Sequence, residues 1–229
     1  MQSLEMLANN LANVETSGYK ADREFYSLYV SADQSRDPAT GDASAQPLIE
    51  SPWVDLAQGN LRNTSNPLDL AIDGDGMFAI STTAGVRYTR NGSFRISAAG
   101  VLTTSEGNPV RAQGGGQITV VSTAPIEVLA DGTVQQAGQP LGQIELAVFD
   151  RNSMDKRGAS YFAPFAGAVA KPATGTVVQG KLEQSNVVTA ESAVRLVAIM
   201  RQFEMLQKAM NIGNELNRHA IEEVARVTT

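Results

Sequence analysis

The sequence predicts a mainly β protein with helical ends: an antiparallel β domain set between N- and C-terminal helical segments that pack together. Three observations predict it. A leucine seam opens the chain, short apolar runs separated by glycine-containing turns fill its middle, and a long amphipathic stretch closes it. On this reading residues 1–30 and 181–229 form a discontinuous helical assembly domain. Residues 31–60 form a linker or extended segment, and 61–180 the central β domain.

Leu4, Leu7, Leu11 and Val14 recur at steps of three, four and three, the a/d spacing of a coiled-coil seam, and Gly18 in "TSGY" is placed to end that helix. Asn9, Asn10 and Asn13 stand beside the stripe. An isolated helix needs roughly 12–15 residues for even marginal stability, so this segment is expected to be weakly helical or disordered in the free monomer and to order on assembly. Residues 31–51, "SADQSRDPATGDASAQPLIES", are rich in Ser, Asp, Ala, Gly and Pro and read as a loop or flexible linker.

Between Leu61 and Asp150 come the runs "LDLAI", "MFAIS", "SFRIS", "ITVVS", "IEVLA" and "IELAVF". The turn signals between them are "GDG" at 74–76, "NG" at 91–92, "EGNP" at 106–109, "GGG" at 114–116 and "DG" at 131–132. Short strands at this density predict an antiparallel sandwich or barrel. "YTRNGSFRI" and "IEVLADGTVQQ" read as hairpins, because Asn91-Gly92 and Asp131-Gly132 suit the positive φ angles of a type I′ turn. From Arg151 to Gly180, with Pro164 and Pro172, the chain reads as irregular.

Thr189 to about Arg226 reads as one helix, with Thr189 as N-cap and Glu191 favoured in the first turn by the helix dipole. One seam runs Leu196, Ile199, Phe203, Leu206, Met210, and a second runs Met205, Ala209, Ile212, Leu216. Two seams on one helix imply neighbours on more than one side, and Gly213 suits a close helix approach. Glu204, Gln207, Asn211, Glu215, Arg218 and Glu222 line a polar face. An ordinary amphipathic helix lying on the β domain is the plain alternative.

The net charge of -6 gives no basic footprint for nucleic acid or an anionic membrane. With no cysteine and a single histidine, His219, thiolate chemistry is excluded and a histidine-rich metal site or triad is disfavoured. No apolar run approaches the roughly 20 residues that span a bilayer, so no membrane insertion is expected. The opening "MQSLEMLANN" lacks the basic and apolar regions of a secretory signal. Asp69, Asp73 and Asp75 could suggest a calcium loop, but the spacing and distal Glu of an EF-hand are missing, and a turn built on Gly74 and Gly76 is the simpler reading. "GGG" at 114–116 has no following Lys-Ser/Thr, and no G-x-S-x-G is present. His219 reads as a solvated or interface residue and Trp53 as a core or interface anchor. No cofactor is expected.

Several stretches together resemble the axial proteins of the bacterial flagellum, the rod and hook subunits. "ANNLANVETSGYK" (8–20) is similar to the family's N-terminal signature, with Glu15, Ser17 and Tyr19 as mild departures. "NPLDLAIDGDGMF" (66–78), "YTRNGSF" (88–94) and "GVLTTSEGNPV" (100–110) resemble its central-domain signatures. "VVQGKLEQSNV" (177–187), "ES" and "MRQFEMLQKAM" (200–210) resemble its C-terminal one. The modest central domain argues against the hook protein, and the presence of such a domain argues against the smallest rod subunits. The segment 31–51 does not resemble the extended segment of the G-type distal rod, so an F-type proximal-rod subunit is favoured.

The resemblance implies a non-enzymatic structural subunit of the periplasmic rod, exported by the flagellar type III apparatus without a cleaved signal peptide. Its implied partners are copies of itself, other rod and hook axial proteins and the export apparatus. It also implies an inner helical layer, in which Leu4, Leu7, Leu11 and Val14 pack on the C-terminal helix and the three asparagines hydrogen-bond across subunit contacts. The first C-terminal seam, Leu196 to Met210, supplies the facing surface. Asp69, Gly74, Gly76, Asn91 and Gly92 mark the β-domain turn motifs. A distal-rod or hook-like subunit is the alternative, and a calcium- or carbohydrate-binding β module resting on Asp69, Asp73 and Asp75 a more distant one.

Overall fold

The computed structural model describes residues 2–23, 26–29, 46–49, 53–121, 124–150 and 153–227. The chain divides into two compact units, one of Met1–Leu11 with Val188–Thr229 and one of Ala12–Val187. Residues 31–45 and 50–52 of the expected linker or extended segment lie outside the described residues.

Helix α1 (Gln2–Ala12) carries Leu4, Leu7 and Leu11 at helical spacing. It stops earlier than the leucine pattern predicts. The Thr16 amide donates to the Asn13 carbonyl at 3.1 Å and the Thr16 hydroxyl to Asn13 Oδ1 at 3.3 Å, a local turn that competes with the helix ladder. Val14 therefore falls beyond the helix, and Gly18 is not its cap.

In the larger unit, β1 (Asp22–Arg23) pairs with β4 (Trp53–Val54), and β2 (Tyr26–Tyr29) with β3 (Gln46–Ile49). Residues 46–49 were expected to be linker; they form a ladder instead, with Leu48 opposite Ser27. Strands β5 (Leu61–Asn63), β6 (Leu70–Asp73), β7 (Met77–Thr82), β8 (Gly85–Thr89), β9 (Phe94–Ile96) and β10 (Leu102–Thr104) follow. Next come β11 (Ile126–Val128), β12 (Thr133–Gln136), β13 (Gln139–Gln143) and β14 (Leu146–Val148). The set closes with β15 (Met154–Arg157), β16 (Tyr161–Pro164), β17 (Lys171–Pro172), β18 (Thr176–Gln179) and β19 (Lys181–Glu183). A six-stranded antiparallel sheet in the order β15-β16-β8-β7-β14-β17 is the largest, and β11-β12-β13 form a three-stranded one.

Strand β7 explains why "MFAI" is apolar without interruption. Successive side chains point to opposite faces of a sheet. Phe78 and Ile80 enter a cluster with Leu70, Phe94, Val110 and Ile144, while Met77 and Ala79 enter a second with Tyr88, Phe149 and Phe162. Both faces of β7 are covered. Edge-to-face rings anchor each side, Phe78 against Phe94 at 5.2 Å and Tyr88 against Phe149 at 4.6 Å.

Four sequence expectations need correction. Residues 151–180 are not irregular: β15 and β16 form a hairpin at one edge of the large sheet, β17 lies at the other, and β18 pairs with β6. Residues 118–121 of "ITVVS" form no strand, Ser122 lies outside the described residues, and Thr119 makes only an isolated bridge to Val101. "YTRNGSFRI" is not a hairpin, because β8 pairs with β7 and β16 while β9 pairs with β10. The Asn91 side chain accepts the Ser93 amide at 3.1 Å, and Gly92 lacks the positive φ of a type I′ turn. Gly92 is needed for another reason: a Cβ there would come 1.6 Å from the Leu70 carbonyl oxygen. "IEVLADGTVQQ" is a hairpin, closed through Gly132 at φ +84° with Asp131 at negative φ, so its turn is not type I′.

The last element is α2 (Thr189–Val227), a helix of 39 residues; the Val188 carbonyl accepts its first bond, from the Ser192 amide at 3.0 Å, so the cap lies one residue before the predicted Thr189. It ends one residue past the expected boundary.

Candidate assembly site

Within the larger unit, three stretches far apart in sequence meet around one carboxylate. Glu183, on β19, is 0% exposed, as is Lys20; Arg90 is 4% exposed. Lys20 Nζ lies 2.5 Å from Glu183 Oε1, and Arg90 Nη1 lies 3.2 Å from Oε2. The Gly59 amide donates to Oε1 at 2.9 Å. Lys20 also donates to the Ala57 carbonyl at 2.6 Å, Arg90 Nη2 to Gly74 at 2.7 Å and Arg90 Nη1 to Ile72 at 3.3 Å, while Arg90 Nε is buried without a hydrogen-bond partner. Burial lowers the Lys20 pKa from the usual lysine range, and Glu183 acts against that fall. Buried charges of this kind are expensive to strip of water and are tolerated only when paired and hydrogen-bonded.

The backbone around this cluster is tied as well. The Gly18 amide donates to the Glu183 carbonyl at 2.8 Å, and the Ala21 amide to Asn186 Oδ1 at 2.8 Å. Asn186 Nδ2 donates onward to the carbonyls of Asp55 (2.7 Å) and Ala57 (3.1 Å). Lys156 Nζ donates to the Lys20 carbonyl at 3.0 Å and to Asp22 at 2.8 Å, and stands 4.0 Å over the buried Tyr19 ring. Gly18, at φ +68°, lies so close to the Arg90–Asn91 peptide that a Cβ would come within 2.3 Å of it. "GYK" (18–20) is thus a buried, cross-linked segment of the β unit.

The helices present a different surface. Along α2, Leu196 and Ile199 are half-buried, whereas Phe203 is 50%, Leu206 57% and Met210 62% exposed. Met205, Ile212 and Leu216 of the second seam are exposed too. In the single chain the middle of α2 is therefore uncovered on both seams. On α1, Leu7 and Asn10 are buried, Leu4 and Leu11 half-buried, and Asn9 exposed; Asn13 and Val14 are half-buried in the following turn.

The turn residues are placed near the ionic cluster but hold no cation-like arrangement. Asp69 is buried and accepts from Asn66 Nδ2 at 3.1 Å, while Asp73 and Asp75 are exposed. Among the described residues no group of three or more His, Asp or Glu is placed to hold a metal ion. Gly74 and Gly76 take φ of +99° and +155°, and the Gly74 carbonyl is an acceptor for Arg90. His219 is exposed on α2, and Trp53 is half-buried on β4.

Three family models match the chain in order. One described as "Flagella basal body rod protein" matches residues 2–20, the "Flagellar hook protein FlgE/F/G D1 domain" matches 71–136, and the "Flagellar basal body rod FlgEFG protein C-terminal" matches 178–223. The flagellar basal-body rod protein FlgF of Caulobacter vibrioides is 33% identical over 99% of this chain and 93% of its own length. The chain belongs to the flagellar basal-body rod protein family. The FlgF protein of Salmonella typhimurium is 30% identical over 91% of this chain and 86% of its own. The FlgG protein of Bacillus subtilis is 29% identical over 93% and 90%. As a rod-family protein the chain is structural and not an enzyme.

Each of the three matched regions contributes one member of the buried cluster: Lys20, Arg90 and Glu183. Sequence reasoning passed over these three as chemistry, because a charge in a strand-rich stretch reads as solvated by default. One signal was available: each lies inside one of the stretches that resemble the family's signatures.

Proposed function

We propose that this rod-family chain is an F-type proximal-rod subunit that joins copies of itself and other axial proteins through its terminal helices. The exposed apolar residues of α2 carry this reading. Phe203, Leu206 and Met210 line one side and Met205, Ile212 and Leu216 another, all open in the single chain. Apolar surface of this extent marks a contact site. In the assembled rod, Leu4, Leu7, Leu11 and Val14 pack with the seam that includes Leu196, Ile199 and Phe203, and the terminal helices α1 and α2 act as one helical layer. Asn9, Asn10 and Asn13 fix register there, since an unpaired buried amide is costly. The rod lies in the periplasm, and the subunit reaches it through the flagellar type III apparatus. Two FlgF proteins at 33% identity, against 28–30% for the FlgG proteins, favour the F type.

The decisive experiment is deletion of the gene in its own bacterium, followed by electron microscopy of isolated basal bodies. Rods that stop before the hook forms are the expected result. Complete rods in the deletion strain would refute the assignment.

A further inference from the structure

We infer that Glu183 is a positioning residue for assembly, whose buried carboxylate clasps the segment 18–21 to the segment 183–186 so that both terminal arms leave the β unit from one fixed place. The role in assembly rests on the function proposed above; the clasp itself rests on geometry. The ladder nearest the N-terminal segment is short: β1 meets β4 at only Asp22↔Val54 and Arg23↔Trp53. So brief a ladder specifies register weakly. On the other side, β19 meets β5 with Glu183 opposite Leu61, and a slip of one residue would turn the Glu183 side chain to the opposite face. Glu183 resists that slip because its carboxylate meets Lys20 Nζ, Arg90 Nη1 and the Gly59 amide together. Apolar side chains at these positions would tolerate sliding, whereas a carboxylate shared by two cations and an amide is satisfied in one arrangement only. The Gly18 and Ala21 amides, bonded to Glu183 O and Asn186 Oδ1, carry the constraint from side chain to chain path.

The test is site-resolved amide hydrogen exchange on the full chain, native and Glu183→Gln. Loss of the clasp is expected to speed exchange at Gly18, Ala21 and Gly59 about tenfold, while Phe78, Ile80 and Val110 in the core keep their native rates. A role in general stability would instead raise exchange at all of these positions together, and that pattern, or no change at Gly18 and Ala21, overturns the clasp. Should Glu183→Gln fail to fold, Glu183→Asp retains the charge but shortens the reach, and the same local pattern is expected of it. In the bacterium, Glu183→Gln at native protein level is expected to reduce motility. Loosened exchange with full motility overturns the assembly role and leaves the rod assignment standing, because that assignment is judged by the deletion strain.

Discussion

Tyr19 is buried beneath the Lys156 ammonium and faces Asp22, which accepts from its hydroxyl at 3.5 Å. Burial first, and the Asp22 charge second, raise its pKa far above the ordinary 10.0. The folded chain keeps this proton after the unfolded chain has released it, so the stabilisation is complete below the ordinary value and is lost as pH climbs above it. Denaturant midpoints measured between about pH 9 and about pH 11 should therefore fall with pH, and Tyr19→Phe should flatten that fall. Gly18 makes a second, independent demand on the same segment. Replacing it with alanine imposes a left-handed conformation on a residue with a Cβ, at about 1–3 kcal/mol, before the contact with the Arg90 backbone is counted. Chemical denaturation of Gly18→Ala should show at least that loss; a change inside experimental error would mean the close approach is absent. The glycine was visible in the sequence as a helix stop. Its true task was hidden because the chain it must approach lies some 70 residues away, beyond any local pattern.

The two helices and the strands were legible to different degrees. Helix α2 could be read to within a residue because a helical period sustained over 39 residues leaves no competing assignment. The β15–β16 hairpin escaped because "MDKRGASYFAP" has no clean alternation: its strands lie at a sheet edge, where Lys156 is engaged with Asp22 and Phe162 enters the core. The opposite error occurred at "NG" 91–92, where a strong turn dipeptide serves a close backbone approach instead. Exposure now separates two phenylalanines that look alike in sequence. Phe94→Ala, in the packed cluster against Phe78, should cost roughly 3–5 kcal/mol of stability. Phe203→Ala, on the uncovered face of α2, should leave the melting of the isolated chain within about 0.5 kcal/mol of native yet abolish rod assembly. Normal motility in Phe203→Ala would show that this seam is not a contact surface.

The division into two units makes a prediction about the molecule as a whole. Residues 190–191 and 193–195 of α2, and most of those that follow to 219, are exposed, so the helix draws little stability from packing in the single chain. Removing residues 189–229 should shift the calorimetric melting temperature of the β unit by less than about 2–4 °C. A larger fall would reveal that the helix buttresses the sheets. The buried Lys20–Glu183 pair also sets an order of events in time. Its partners are 163 residues apart along the chain, and contacts of such separation form late, after the entropy of closing the loop has been met by nearer ones. A chain delivered from its N-terminus would hold Lys20 and Arg90 without their counter-ion until Glu183 had arrived. Only with Glu183 in place can the unit shut, so a chain that stops or is broken before Glu183 stays open, and a closed unit is one synthesised at least as far as β19.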